Sequence, residues 1–333
     1  MSSIIFTKDL KNTNSFGINE IIKKLKIHIN SNSTERVEII NLKNNFDIYK
    51  KIKKSKIVHI HGCWSLSHFK IFLFSLINNK KIFFSPHGML LPNALKFKKI
   101  RKMLALCSYQ KLVIAYSNKI IVNSETEKKE LKKIYNHKNI HVIPHGIEVN
   151  NKKSFKKNYN KIKIIFFSRI HPIKGLFDLV KTWKNSNILN KFKLDIYGTV
   201  EDDNYFSNVK KFLSNNVRYY GPLDKTNKYK TLKKYNVLIY PSFSENFGLV
   251  ILEALNSGLY ILMRNNLPWN FLPKQFGKQI SFNKQSLEKN INLLNRNINK
   301  SYTEKKTKFL RSYLINNYSW GKISKKYLKL YDN

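Results

Sequence analysis

Several absences bound this chain of 333 residues before any motif is read. It has no apolar run of about 18 residues, the length that a membrane-crossing helix needs. The longest candidate, residues 71–77, is far shorter. The opening MSSIIFTKDL lacks a basic stretch followed by an apolar core, so no signal peptide is expected. The two cysteines, Cys63 and Cys107, give neither zinc-ligand spacing nor a disulfide framework. A reduced, cytoplasmic setting is expected. Acidic residues are scarce, with 20 Asp and Glu against 62 Lys and Arg, for a net charge of +42. Helix-turn-helix, zinc-finger and RNA-binding-sheet signatures are missing, which argues against a specific nucleic-acid partner. No solenoid-type repeat is present.

What is there suffices for two ordinary domains: 42% of the residues are hydrophobic. The positive field attracts polyanions, whether nucleic acid, acidic substrates or an anionic membrane. Basic residues cluster at 50–54, 96–102, 128–133 and 152–157. A membrane surface would contribute about 1 kcal/mol for each nearby basic residue, so peripheral attachment to the inner face of the cytoplasmic membrane is expected. Lys, Asn and Ile are all used heavily, so compositional bias with a solvated lysine face explains part of this charge, while the scarcity of acids and the dense clusters temper that reading.

Apolar runs alternate with amphipathic segments along the whole chain, which predicts an α/β fold. Strands are expected at 2–7, 36–42, 56–61, 81–85, 119–123 and 141–143, then, after a polar Lys/Asn-rich linker at 149–161, at 162–168, 192–197, 217–220, 237–240, 259–263 and 279–281. Gly17 ends a polar loop before the first helix. His61 and His87 both fall at strand ends, each followed by glycine. In open α/β sheets that edge binds ligands. A pattern at 93–115 reads as one long basic amphipathic helix, which either buries its apolar face or lies on a membrane. Ser124 and Glu127 form a capping box, a structural motif. Arg169 and Lys174 flank the loop after the strand at 162–168, where two cations beside a helix N-terminus can clamp a phosphate.

The stretch 241–262, PSFSENFGLVILEALNSGLYIL, carries the most chemistry. It reads as a loop bearing Glu245, a helix from about Phe247 bearing Glu253, a stop at Gly258 and a further strand. The first backbone N–H groups of that helix, at Gly248, Leu249 and Val250, have no intrahelical acceptor and favour an anion. A carboxylate beside a phosphate is suited to hydroxyls. The unit therefore suits a nucleotide or nucleotide sugar, although Glu245 and Glu253 read alone are equally a loop solubiliser and a solvated helix residue. Glu201, Asp202 and Asp203 are taken as a solvated loop, and no metal site is expected.

The residues Glu245-x7-Glu253, SRIHPIKG at 168–175, VIPHGI at 142–147, SPHGML at 85–90 and the late YSW together resemble the GT-B glycosyltransferases of the large retaining family numbered four. Members that build bacterial surface polysaccharide (lipopolysaccharide, O-antigen or capsule) are the nearest in pattern. The resemblance implies two doubly wound Rossmann-like domains facing an interdomain cleft. Residues 1–150 would be the acceptor side and 151–315 the nucleotide-sugar side, with 316–333 a helix crossing back. It implies a UDP- or GDP-linked sugar donor, a glycan or lipid-linked acceptor, and neither cofactor nor metal. It implies Arg169 and Lys174 on the diphosphate, Glu245 on sugar hydroxyls, Glu253 on ribose, and His87 facing the reacting sugar. Phe247, Gly248, Leu249 and Val250 would present backbone and packing surface to the donor, with Gly17 and His61 on the acceptor side. The sequence departs from the family pattern at Ser168, at His145, at the single Gly17 and at Thr199-Val200-Glu201. Other sugar-nucleotide enzymes of the same fold, such as an epimerase or phosphorylase, and a basic nucleic-acid-binding protein are the competing readings.

Overall fold

A computed structural model describes residues 4–8, 16–41, 45–96, 98–149, 162–224, 226–301 and 304–332. The polar loop before Gly17, the basic cluster at 152–157 and all but the first residue of the expected linker lie outside them. The chain divides into two compact units, one of Met1–Glu148 with Asn317–Asn333, the other of Val149–Asn316.

Unit 1 is built on β1 (Ile4–Lys8), β2 (Val37–Asn41), β3 (Ile57–His61), β4 (Lys81–Ser85), β5 (Lys119–Val122) and β6 (Ile140–Val142). They form one parallel sheet in the order β2-β1-β3-β4-β5-β6. A parallel sheet is covered on both faces, so its strands are apolar throughout rather than alternating. Accordingly Ile57–His61 is buried at every position. Ile5, Val58, Ile60, Ile82, Phe84, Ile120 and Val122 meet the helices in one core. The last helix, Trp320–Asp332, belongs to this unit. Tyr331 is buried with its hydroxyl 2.7 Å from His59 Nδ1, Lys119 Nζ donates to Leu330 O at 2.7 Å, and Ile147 N donates to Tyr318 O at 2.8 Å. A side chain at Gly146 would run into the Trp320 ring, which fixes that position as glycine.

Unit 2 contains β7 (Ile164–Phe167), β8 (Leu194–Tyr197), β9 (Val217–Tyr219), β10 (Val237–Tyr240), β11 (Tyr260–Arg264) and β12 (Gly277–Ile280). Its parallel sheet runs β12-β11-β10-β7-β8-β9. Ile164, Phe166, Leu194, Ile196, Val237 and Ile239 meet Leu179 and Trp183 of the helix Leu176–Lys184 in its core. Both sheets are doubly wound: chain order reverses between β1 and β3 in the first and between β7 and β10 in the second.

Two expected elements differ. The single helix expected over 93–115 is broken into Pro92–Lys96, Lys99–Ala105 and Lys111–Tyr116, with a π-helical stretch at Leu106–Gln110. Lys98 takes a left-handed φ of 53°, and the Ser108 hydroxyl bonds back to Leu104 O at 2.7 Å, a competition that bends helices. The residues 201–203 are loop only in part: Glu201 is an exposed loop residue, while Asp202 caps the helix Asp203–Lys210 by accepting from Tyr205 N at 2.8 Å.

Candidate functional site

In unit 2 the reversal point is flanked by the loops after β7 and β10, and a reversal point is where doubly wound sheets bind ligands. Those two loops are tied together. Phe243 N donates to Ile173 O at 2.8 Å, and the Ser242 hydroxyl donates to the same oxygen at 3.2 Å. The first loop turns through Pro172–Lys174, capped by His171, and ends at Gly175 with φ of 68°. A Cβ at Gly175 would land on Pro241 O, so only glycine lets the loops approach so closely.

This clamp sets Lys174 against Glu245. Lys174 Nζ lies 2.5 Å from Glu245 Oε1, with each side chain only 10% exposed. The Tyr240 hydroxyl donates to the same carboxylate oxygen at 2.6 Å. Tyr240 is buried, and burial beside Glu245 pushes its phenol well above the ordinary range, so it remains a donor. Arg169 is half-exposed, and its Nη1 donates to Glu201 Oε2 at 2.6 Å. The loop holding Glu201 is anchored to the β7 loop through Ile170 N to Thr199 O at 2.8 Å and Glu201 N to Ile170 O at 3.1 Å.

The helix after the β10 loop is Leu249–Asn256, with Gly248 at its N-cap in a left-handed conformation, φ 85°. It starts two residues later than expected because Phe247 is turned inward. The Phe247 ring packs on Trp269 at 5.1 Å and its carbonyl accepts from the indole N–H. Phe247 therefore offers no side-chain surface, whereas Leu249 and Val250 stay partly exposed with unpaired helical N–H positions. Glu253, one turn into the helix, meets Lys228 Nζ at 2.5 Å. Burial raises its carboxyl above the ordinary value, and Lys228 opposes that rise.

In unit 1 His61 is the last residue of β3, at the strand end expected for it, and it is buried. Its Nδ1 lies 2.9 Å from His87 Nε2. His87 has φ of 51°, held by the loop that follows β4: Gly88 N donates to Glu127 Oε1, while Asn123 N donates to Glu127 Oε2 at 2.7 Å. Glu127 thus uses its carboxylate to join two strand-end loops, beyond the cap in which Glu127 N donates to Ser124 Oγ. His145 stacks beyond His87 at 6.0 Å. Burial lowers His87 to about 4 and His145 to about 3, and puts His61 well below its ordinary range, so the three are neutral at pH 7. Gly17 lies apart from this cluster's bonding, exposed in the first turn of the helix Phe16–Asn32, with open space where a Cβ would stand. That turn begins before Gly17, so the glycine is helical instead of ending a loop.

Four partners were not legible in advance. Tyr240 reads as an ordinary strand residue, Lys228 as one lysine among many, and Glu127 as a cap. Glu201 carried the one usable signal, an acidic run in a chain short of acids. Among the described residues no three His, Cys, Asp or Glu side chains converge as metal ligands, and no helix is long and apolar enough to cross a membrane.

Comparison with known proteins places these features in context. Residues 147–270 match the family described as glycosyl transferases group 1, and residues 15–151 match glycosyltransferase family 4. An uncharacterized 41.2 kDa protein in the cps region of Klebsiella pneumoniae is 26% identical over 290 residues, covering 80% of this chain and 78% of that protein. Among solved structures, Anabaena HepE in complex with UDP and glucose superposes with a TM-score of 0.76 at 14% identity, covering all of both chains. Sucrose-phosphate synthase from Thermosynechococcus elongatus gives 0.75 at 14% identity, over 100% of this chain and 98% of that one. The lipopolysaccharide outer core galactosyltransferase WaaB, in its apo form, gives 0.70 at 13% identity, over 100% and 99%. With the two family matches running together from residue 15 to residue 270, the chain belongs to the group 1, family 4 glycosyltransferases, enzymes of the GT-B fold.

Proposed function

We propose that this enzyme moves a sugar from a UDP- or GDP-linked donor to a hydroxyl of a glycan or lipid-linked glycan acceptor, in the synthesis of a bacterial surface polysaccharide. The observation that carries the donor assignment is the pairing of Lys174 with Glu245 at the reversal point of the second sheet, beside the N-terminus of the helix Leu249–Asn256. The UDP and glucose held by HepE and the cps-region setting of the Klebsiella relative support the donor and the pathway class.

In this reading the diphosphate takes over the cations that Glu245 and Glu201 hold in its absence. Lys174, Arg169 and the first N–H groups of the helix then stabilise the negative charge that builds on the leaving phosphate. The chain itself supplies that positive charge, and the proposed reaction uses no metal. Glu245, released from Lys174 and still held by Tyr240, accepts from the hydroxyls of the transferred sugar. Glu253 accepts from the ribose. His87, neutral and fixed by His61, serves as a hydrogen-bonding group for the reacting sugar. The acceptor oxygen bonds to the anomeric carbon on the face that the leaving group vacates. The carbon–phosphate oxygen bond breaks with its electron pair on the diphosphate, and a phosphate oxygen takes the acceptor proton. Configuration is retained.

The test is turnover of UDP- and GDP-hexoses with lipid-linked and free glycan acceptors, read as nucleoside diphosphate released and as the anomeric configuration of the product by NMR. An α-linked product from an α-linked donor is expected, with activity unchanged by EDTA. An inverted product or an EDTA-abolished reaction would refute the corresponding part.

A further inference from the structure

The strand β10 ends on a side chain whose oxygen the core does not require. Val237–Tyr240 is buried at every position, Tyr240 included. A phenylalanine would fill the same volume, and a buried hydroxyl costs stability unless it is bonded. The Tyr240 hydroxyl donates to Glu245 Oε1 at 2.6 Å, five residues further on. Lys174 Nζ reaches the same oxygen at 2.5 Å and also lies 5.9 Å from the centre of the Tyr240 ring. Both donors converge on Oε1, and among the described residues Oε2 accepts from none.

The two donors have different fates. In the proposed donor site Lys174 leaves the carboxylate for the diphosphate, and Oε1 is then held by the tyrosine. A carboxylate bonded through one oxygen keeps its orientation, so the other oxygen keeps one direction. Tyr240 stays where it is when ligand enters, because its backbone is paired in the sheet with Met263 of β11 and its ring is enclosed. Ser168, the residue after β7, adds support. It is buried, its N–H donates to Tyr197 O at 3.1 Å, and its hydroxyl bonds to the Tyr240 phenol. Ser168 is also a position at which the sequence departs from the family pattern, so this support lies outside that pattern.

We infer that Tyr240 is a positioning residue: its hydroxyl pins one oxygen of Glu245 so that the other faces the hydroxyls of the transferred sugar while the diphosphate occupies Lys174. The assignment rests on the donor site proposed above. Within that site Lys174 serves the leaving group and Tyr240 serves the sugar. Contacts to the diphosphate and the ribose do not pass through Tyr240. Loss of its hydroxyl therefore falls on turnover and spares nucleotide affinity. A hydroxyl that only satisfied the core would, on removal, lower Tm and weaken binding and turnover alike.

The experiment compares Tyr240→Phe with the wild type in turnover of UDP- and GDP-hexoses and in calorimetric binding of UDP and GDP, with folding checked by thermal unfolding. For Tyr240→Phe kcat is expected to fall about ten- to a hundredfold, the worth of a hydrogen bond to a charged group, with the Kd of the nucleoside diphosphate unchanged. Ser168→Ala leaves the phenol in place and should show the same split at smaller size. Combined with Tyr240→Phe it should add no further loss, since it acts through that hydroxyl. Tyr260→Phe removes another bonded hydroxyl of unit 2, the donor to Lys274 O at 3.0 Å, and should leave kcat unchanged. Wild-type kcat in both Tyr240→Phe and Ser168→Ala, or a loss of nucleotide affinity as large as the loss of kcat, would overturn the inference. So would a Ser168→Ala loss that persists undiminished beside Tyr240→Phe. Glu245→Gln separates the inference from the reading beneath it. Wild-type turnover in Glu245→Gln removes the sugar-binding role of Glu245 itself, whereas a slow Glu245→Gln beside a fast Tyr240→Phe removes only the positioning role.

Discussion

Lys174 and Glu245 face each other at 2.5 Å across two loops that are 71 residues apart in the chain, and both are largely withdrawn from solvent. Removing one partner strands the other. Lys174→Met is expected to cost about 3–5 kcal/mol of stability through the uncompensated carboxylate, read as a lower urea midpoint. It should also lower kcat by about a hundredfold or more, because a fixed charge on the leaving group is lost. Glu245→Gln keeps an acceptor for Tyr240, and its larger effect should fall on turnover rather than donor affinity.

Glu253 and Lys228 give a pH signature. Burial raises the Glu253 carboxyl, and Lys228 pulls it back. Donor affinity, which needs the carboxylate, should fall as pH drops through that raised value. Lys228→Met removes the opposing cation, so the acid limb of donor affinity should move to higher pH. Glu253→Gln should weaken donor binding by about ten- to a hundredfold at neutral pH, the worth of hydrogen bonds to a charged group, and abolish that limb. Calorimetric titration across pH reads both.

The histidine cluster predicts acid sensitivity. Burial lowers His87 to about 4 and His145 to about 3 in the folded chain, from an ordinary value of about 6.5. Between those values the unfolded chain binds more protons, so stability is fully present above about pH 6.5 and is lost as pH falls towards 4. Thermal unfolding followed from pH 7.5 to 4.5 should show that decline. His145→Asn should blunt it, and an unchanged slope in that variant would count against the cluster as its source.

Two glycines should respond in opposite directions. Gly175→Ala places a methyl on Pro241 O at a left-handed φ, and a cost of at least about 1–3 kcal/mol is expected, together with weaker donor binding because the clamp between the two loops is disturbed. Gly17→Ala meets open space within a helix and should stabilise by about 0.5–1 kcal/mol. Its effect on acceptor KM then reports whether ligand approaches that backbone.

The doubly wound fold was legible because buried parallel strands are short apolar runs set off by glycine and polar turns, as in 237–240 between Asn236 and Pro241. The chemistry-bearing loops were legible for the same reason: strand ends are easy to find, and Arg169, Lys174, Glu245 and His87 stand at them. Pairings over long sequence distance were not. Nothing in the chain singles out Lys228 among its many lysines as the partner of Glu253, 25 residues on. Tyr240 differs from a core aromatic only by where its hydroxyl ends, which depends on the curl of the following loop. The break at 98–108 escaped periodicity because Lys98 and Ser108 carry no strong helix-breaking signal: Lys98 turns left-handed, and the Ser108 hydroxyl competes for the Leu104 carbonyl. The cap at Asp202 was masked by the acids beside it.

The most direct measurement on the central assignment, a donor site built on Lys174, Glu245 and Glu253, is thermal unfolding of the full chain titrated with UDP, GDP and their common hexose derivatives. A ligand at about 100 times its Kd adds about 2.7 kcal/mol, a shift of a few degrees for a chain of this size. At least one nucleotide series should raise Tm in the wild type, with Glu253→Gln requiring a higher concentration for the same shift and Lys174→Met losing the response to the diphosphate. A Tm that no nucleoside diphosphate or sugar derivative moves at any concentration would contradict it.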